Sequence, residues 1–134
     1  MNYLLDTNIC VFVIRNKSRL AIQRLQQHAA GVVGISTITL AELRYGADKS
    51  NHPPKNHAAL NGFIAPLEVA EFDARAASEY GVIRADLEKR GVPIGSLDML
   101  IGAHARGLGL TLVTNNVSEF QRVPGLIVED WSVP

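Results

Sequence analysis

The feature of this sequence that most constrains its fold is the alternation of short apolar segments with longer amphipathic ones along its 134 residues. The short segments favour strands, and the longer ones, with apolar residues three or four positions apart, favour helices. Strands are predicted at residues 2–6, 32–36, 67–70, 111–113 and 126–128. Helices are predicted at residues 7–14, 19–29, 37–48, 53–63, 73–90 and 96–106, with one short turn-plus-helix segment after residue 113. The alternation predicts an α/β fold with a mostly parallel sheet covered by helices on both faces.

Length and composition narrow the class of protein further. A chain of 134 residues is expected to form one domain over residues 1–134, and 19% charged residues with 47% apolar ones is typical of a globular protein. Cys10 is the only cysteine, which excludes an intrachain disulfide and fits a reduced, cytoplasmic setting. No apolar run approaches the roughly 20 residues of a membrane helix, and the N-terminus lacks a signal-peptide pattern.

Charge is unevenly distributed although the net charge is zero. Residues 1–60 hold seven basic and three acidic residues, whereas residues 61–134 hold six basic and ten acidic ones. If four carboxylates were neutralised by a metal ion, thirteen basic residues would face nine acidic ones. An anionic partner such as a nucleic acid is therefore permitted but not required.

Four acidic residues occupy comparable places in the predicted fold. Asp6 ends the first apolar strand, while Glu42, Asp98 and Glu119 lie near the starts of predicted helices. Strand ends and helix starts gather along one edge of a parallel sheet, so these carboxylates could converge there. They would repel one another unless a divalent cation lay between them. Mg²⁺ or Mn²⁺ bound by oxygen ligands can acidify a water for attack on phosphate, which indicates a metal-dependent phosphodiesterase.

Each carboxylate also has a structural interpretation that spacing alone leaves open. Thr39-x-x-Glu42 and Asn116-x-x-Glu119 both match the capping-box pattern of helix starts. Asp98 could follow a Ser96 cap and interact with the helix dipole, and Asp6 could cap the helix that follows it.

Other common sites lack support in the sequence. The four histidines form no zinc-like arrangement with Cys10, which we expect to face a helix core. Ser36 and Ser96 belong to no recognisable catalytic triad, and no glycine-rich phosphate loop is present.

The segments around the four carboxylates resemble the PIN-domain ribonucleases, specifically the VapC-type toxins of bacterial toxin–antitoxin pairs. The matching segments are LLDTN (residues 4–8), ITLAEL (38–43), PIGSLDMLI (93–101) and LVTNNVSEF (112–120), and the likeness extends to the closing EDW (129–131). This resemblance implies a PIN-like three-layer fold with a central sheet of about five strands. It covers essentially the whole chain.

The resemblance also implies roles for individual residues. Asp6, Glu42 and Asp98 would form the acidic core of a Mg²⁺ site, in which Mn²⁺ can substitute. Many PIN domains carry a fourth Asp where this chain has Asn116, and Glu119 would supply the replacement acid through a water. The side chains implied to orient ligands or phosphate are Thr7, Asn8 and Thr114.

The implied activity is cleavage of RNA by a metal-activated water, leaving a 5′-phosphate and a 3′-hydroxyl. The preferred substrate is tRNA, in particular the anticodon stem-loop of initiator tRNA. A VapB-type antitoxin would cover the site, and toxin homodimers and toxin–antitoxin hetero-oligomers are expected. The basic residues that we expect to contact RNA phosphates are Arg15, Lys17, Arg19 and Arg44.

Two other functional classes remain as alternatives. Asp6-Thr7-Asn8 is similar to the start of a haloacid-dehalogenase phosphatase, but the second Asp of that motif is Asn8 here. A PIN-like fold could also serve only to bind RNA or protein. The presence of four acids at the predicted site argues against this non-catalytic alternative.

Overall fold

The computed structural model describes residues 1–134 as five strands and seven helices. The strands are β1 (Tyr3–Leu5), β2 (Val33–Ser36), β3 (Glu68–Ala70), β4 (Thr111–Val113) and β5 (Val128–Glu129). The helices are α1 (Thr7–Ile14), α2 (Arg19–Gln26), α3 (Thr37–Asp48), α4 (Pro53–Ile64), α5 (Ala74–Lys89), α6 (Ser96–Leu108) and α7 (Val117–Phe120). None of these helices has the length and apolar character needed to cross a membrane.

The five strands form one parallel sheet in the order β3-β2-β1-β4-β5, which confirms the predicted α/β architecture. In the central strand, Leu5 pairs with Ile35 on one side and with Val113 on the other. The chain first builds the sheet outward from β1 through β2 and β3, and then returns to add β4 on the opposite side of β1. The strand order thus reverses between β1 and β4, and open α/β sheets form ligand sites at such a switch point.

Two hydrophobic clusters cover the two faces of the sheet. Leu4 packs in the cluster that includes the α5 and α6 side chains, whereas Leu5 packs in the cluster that includes α1 and α4. Successive side chains of a strand point to opposite faces, which explains this division. Full burial of a leucine contributes roughly 1.5–3 kcal/mol, so both clusters anchor the strand that precedes Asp6. Cys10 is fully buried in the second cluster, as its sequence context predicts.

Several predicted boundaries differ from the structure by one to three residues, and in two of them long-range contacts involve the residues left outside the element. Helix α2 ends at Gln26 rather than at residue 29, and the His28 ring instead stacks on Trp131 with a centroid separation of 5.2 Å. Strand β5 begins at Val128 rather than at residue 126. The Ile127 carbonyl still accepts a hydrogen bond from the Leu112 N–H (2.9 Å), so the pairing starts just before the regular strand.

Candidate active site

Asp6 lies at the switch point of the sheet and is almost completely buried. Its Oδ1 accepts a hydrogen bond from the Ile9 N–H (2.8 Å), and its Oδ2 accepts one from the Thr114 hydroxyl. The first contact confirms that Asp6 caps α1. A carboxylate offers about four lone-pair sites, so these two bonds leave Asp6 able to bind a cation as well.

The four predicted carboxylates lie in one electrostatic environment. Burial raises the pKa of Asp6 to about 6, and repulsion by Asp98 and Glu42 adds to this rise. Burial likewise raises the pKa of the half-buried Asp98 to about 6, together with repulsion by Glu119 and Glu42. These carboxylates come from the β1 end, α3, α6 and α7, so the fold brings together residues far apart in sequence.

Glu42 is held by a side chain from another helix. Its Oε1 accepts a hydrogen bond from the Thr7 hydroxyl (2.7 Å), whose oxygen also lies 3.2 Å from Thr39 Oγ. The Thr39-x-x-Glu42 capping box does not form, because Ser36 caps α3 by accepting from the Ile38 N–H (3.0 Å). Thr39 therefore falls inside the helix, and Glu42 is free to face the site.

The Asn116-x-x-Glu119 pattern is also not a capping box. Asn116 makes no side-chain cap; its Nδ2 donates to Glu119 Oε2 (3.0 Å). The Asn116 N–H donates to Thr114 Oγ (2.9 Å), and Thr114 donates in turn to Asp6. A continuous hydrogen-bond chain thus links α7 to the buried carboxylate at the end of β1.

Asp98 lies in the first turn of α6, close to Gly95, whose lack of a side chain leaves space for the carboxylate. The alternative of a Ser96 cap does not hold, because Gly95 takes the cap position and no side chain caps this helix. A Cβ at Gly95 would lie only 3.4 Å from Asp98 Oδ2. The helix dipole favours the ionised form of a carboxylate at this position, in opposition to the burial that raises its pKa.

The remaining predicted residues surround this cluster less closely. Asn8 is exposed in the first turn of α1, and Arg15, Lys17 and Arg19 are exposed between the end of α1 and the start of α2. The Arg44 side chain bridges α3 and α4.

Arg44 is engaged within the protein. Its Nη2 donates to Asn61 Oδ1 (2.7 Å), and its Nη1 lies 3.1 Å from His57 Nδ1. The other ring nitrogen of His57 lies 2.7 Å from Asp48 Oδ1. Arg44 thereby ties α3 to α4, in addition to the RNA contact predicted for it.

A buried polar pair that joins α6 to the start of α3 was not predicted from the sequence. His104 on α6 is almost completely buried, and its Nδ1 lies 2.8 Å from the Ser36 hydroxyl that caps α3. Burial lowers the pKa of His104, which keeps the ring neutral near pH 7. The pair connects the helix that carries Asp98 to the helix that carries Glu42. A histidine between two alanines in a predicted helix was the one sequence signal for it.

The donor set of the cluster fits a hard divalent cation. All four predicted site residues are carboxylates, although no three Asp, Glu, His or Cys side chains form a preformed metal cage. Mg²⁺ typically keeps several waters and takes only one or two carboxylates together with substrate phosphates. An open cluster made only of carboxylates therefore suits Mg²⁺ better than it suits zinc, whose protein sites are usually built around His or Cys ligands.

Comparisons with known proteins identify the family of the chain. The PIN domain family matches residues 3–126. The chain is 47% identical to the tRNA(fMet)-specific endonuclease VapC of Shigella flexneri, covering 98% of this chain and 99% of that one. It is 43% identical to ribonuclease VapC2 of Rickettsia felis, covering 98% of each chain.

A solved structure is similar to this chain in both sequence and fold. The VapBC complex of Salmonella typhimurium bound to DNA contains a chain that is 46% identical, with a TM-score of 0.93 and 98% coverage of both chains. PIN-domain nucleases generally depend on divalent metal ions. The matches confirm the predicted resemblance to VapC-type PIN-domain ribonucleases over nearly the whole chain. This chain belongs to the PIN-domain family, among the VapC ribonucleases.

Proposed function

We propose that this chain is the toxin of a type II toxin–antitoxin module and that it cleaves tRNA with Mg²⁺, preferentially in the anticodon stem-loop of initiator tRNA. The observation that carries the proposal is the convergence of Asp6, Glu42, Asp98 and Glu119 at the switch point of the sheet. Burial raises the pKa values of Asp6 and Asp98, and repulsion among these carboxylates adds to the rise. A divalent cation and an RNA phosphate would together balance this charge.

In this proposal Asp6 and Asp98 hold the metal directly, with Glu42 beside them and Glu119 acting through a water. Asn116 belongs to the same site. When bound, the metal acidifies a water and offsets the negative charge that develops on the attacked phosphate. Cleavage then leaves a 5′-phosphate and a 3′-hydroxyl.

The protein's own hydrogen bonds orient these carboxylates before RNA arrives. Thr114 and the Ile9 N–H fix the two oxygens of Asp6. Thr7 fixes Glu42, and the Asn116 amide fixes Glu119. Preorganised groups need no rearrangement during the reaction, so each of these contacts supports the rate.

The choice of substrate rests on similarity. The Shigella flexneri relative is named a tRNA(fMet)-specific endonuclease, and the 47% identity extends over nearly both chains. Exposed Arg15, Lys17 and Arg19 supply positive charge near the end of α1, where phosphates of the tRNA could lie. Arg44 would contribute to the same surface while its guanidinium holds α4.

The choice of partner also rests on similarity. The related structures from Salmonella typhimurium and Rickettsia felis are VapBC complexes bound to DNA, the second to a promoter fragment. These relatives support a VapB-type antitoxin for this chain. We propose in addition that the toxin forms a homodimer and joins the antitoxin in a larger assembly. We propose that the chain acts in the cytoplasm as one PIN domain spanning residues 1–134.

The test is cleavage of an initiator tRNA transcript by the purified chain, with an elongator tRNA beside it. We expect cleavage with Mg²⁺ or Mn²⁺ and none in excess EDTA, because the carboxylates alone cannot activate water. Asp6→Asn and Asp98→Asn should each lower the rate by at least about 10²-fold, the scale of losing a general catalytic contribution. Asp86→Asn on α5 removes the same charge outside the cluster and should cleave normally.

The result that would overturn the metal mechanism is wild-type cleavage that persists in EDTA. The assay also separates the alternatives. A phosphohydrolase of another class would release phosphate from small esters and leave tRNA intact, and a non-catalytic binding module would retain tRNA uncut.

A further inference from the structure

A groove of about 310 Å³ opens from the carboxylate cluster and runs between α1, α3 and α4. Thr7 and Glu42 line it at the cluster, and Arg15 and Lys49 line it at the far ends of α1 and α3. Helix α1 has eight residues, so these two ends of the groove are separated by about 12 Å along the helix axis. Because Thr7 and Glu42 line one end of it, the groove is continuous with the proposed reaction site.

The groove combines an apolar floor with two basic side chains. Its floor is apolar and includes Val11, Leu43 and Leu60, while its only acidic lining residue is Glu42. Arg15 and Lys49 provide two cations at the outer end. An apolar floor accepts the face of a nucleobase, and cations accept its phosphate.

The groove also holds a side chain that could distinguish bases. Asn56 Nδ2 donates to the Ser50 hydroxyl (2.8 Å), which donates to the Ala47 carbonyl (2.6 Å). The amide of Asn56 is thereby oriented, and its Oδ1 remains available to accept from a base. Amide side chains read base edges through such donor and acceptor pairs.

We infer that this groove holds one unstacked nucleotide of the RNA, adjacent to the phosphate that is cleaved. The inference rests on the proposed function, because the RNA strand must continue away from Glu42 in some direction. A volume of about 310 Å³ lies at the lower end of ligand sites, which span roughly 300–1,000 Å³. It suits a single base with its sugar, and bases of single-stranded loops are available in this splayed form.

Gly46 on α3 supports this interpretation and provides the test. It lines the groove, and a Cβ added at this position would meet no atom within 4 Å. Glycine weakens the interior of a helix, so its presence here is consistent with a wall kept open for a ligand. Gly81 is a matched control, because it lies inside α5, also has no atom within 4 Å of an added Cβ, and is outside the groove.

The experiment compares Gly46→Leu with Gly81→Leu in the cleavage of an initiator tRNA transcript with Mg²⁺. Both variants should fold, with Tm at or above that of the wild type. Gly46→Leu should lower kcat/KM roughly ten-fold or more, mainly by raising KM, since the added side chain occupies the space of the base. Gly81→Leu should leave kcat/KM unchanged. If Gly46→Leu does not fold, Gly46→Ala and Gly81→Ala provide the same comparison.

Asn56→Ala tests base reading with a different measurement. Sequencing of the 5′-phosphate ends produced from total tRNA should show a broader set of nucleotides beside the cut than the wild type produces. An unchanged set of ends would mean that Asn56 does not contact the base.

The outcomes separate this inference from the proposed function. If the wild type cuts no RNA, the proposed function fails and the groove loses its assigned substrate. If the wild type cuts tRNA and Gly46→Leu cuts it as well as Gly81→Leu does, the nucleotide site is refuted while the proposed function stands. If Gly46→Leu retains kcat/KM but resists inhibition by the co-expressed antitoxin, the groove binds the protein partner and the inference is overturned.

Discussion

Replacing Asp6 by asparagine should stabilise the metal-free fold even though it abolishes cleavage. Burial raises the pKa of Asp6 from 3.8 to about 6, so the folded state resists ionisation of this carboxyl. A folded-state pKa above the unfolded one contributes stability that is fully present below about pH 4 and is lost as pH rises through about 6. Asparagine keeps the shape of the side chain and has no proton to lose.

The magnitude follows from the size of the shift. A rise from 3.8 to about 6 is about two pKa units, which corresponds to roughly 3 kcal/mol at pH 8. Asp6→Asn should therefore be more stable than the wild type by up to about 3 kcal/mol at pH 8 and by much less at pH 4. Active sites commonly contain a charged group that function requires and that lowers the stability of the fold.

The assay is urea unfolding in EDTA at several pH values between 4 and 8. Asp86→Asn is the control, because it removes an exposed carboxylate paired with Arg90, and exposed pairs contribute only about 0–1 kcal/mol. In a parallel measurement with Mg²⁺ in place of EDTA, the wild type should become more stable. The same change should stabilise Asp6→Asn less. A variant that is no more stable than the wild type at pH 8, or a difference that does not grow with pH, would refute the reasoning.

Two further predictions concern the contacts around the carboxylates. Thr114→Val removes a hydrogen bond that lowers the pKa of Asp6, so the acidic limb of the pH–rate profile should shift to higher pH; an unchanged limb would exclude this role. Ser36→Ala removes the α3 cap and the partner of His104, and should cost about 2–4 kcal/mol in urea unfolding. Ser18→Ala, which removes only the α2 cap, should cost about 1 kcal/mol; equal losses would show that the His104 contact contributes nothing.

The sequence was sufficient for the elements whose signals are local. The apolar run that ends at Asp6 predicted a strand followed by a helix, and the two prolines at positions 53 and 54 lie in the first turn of α4. Gly109 has φ 68 and ends α6 in the left-handed conformation that glycine adopts easily. These features depend on neighbouring residues, so they can be recognised without knowledge of the fold.

The roles of the polar side chains depended on distant residues. Thr39-x-x-Glu42 has the spacing of a capping box, yet Glu42 binds Thr7, which is 35 positions away. A local sequence pattern shows which residues within one helical turn a side chain could bond. It does not show whether the fold brings a more distant residue closer than these. The same reason explains why the Ser36–His104 pair was missed, since its members are 68 positions apart.

The alternation of strands and helices can be recognised in the sequence, as can the strand that ends at Asp6 and the acidic residues Asp98 and Glu119 near helix starts, whereas Glu42 lies in the interior of α3 rather than at its start. Tertiary structure alone decided that these acids converge, that Asp6 both caps a helix and faces the cluster, and that a groove extends from Glu42 between three helices. The physical reason is that helix and strand formation depends on periodicity within a segment. Electrostatic repulsion, burial and an open groove arise only where segments distant in sequence are packed together.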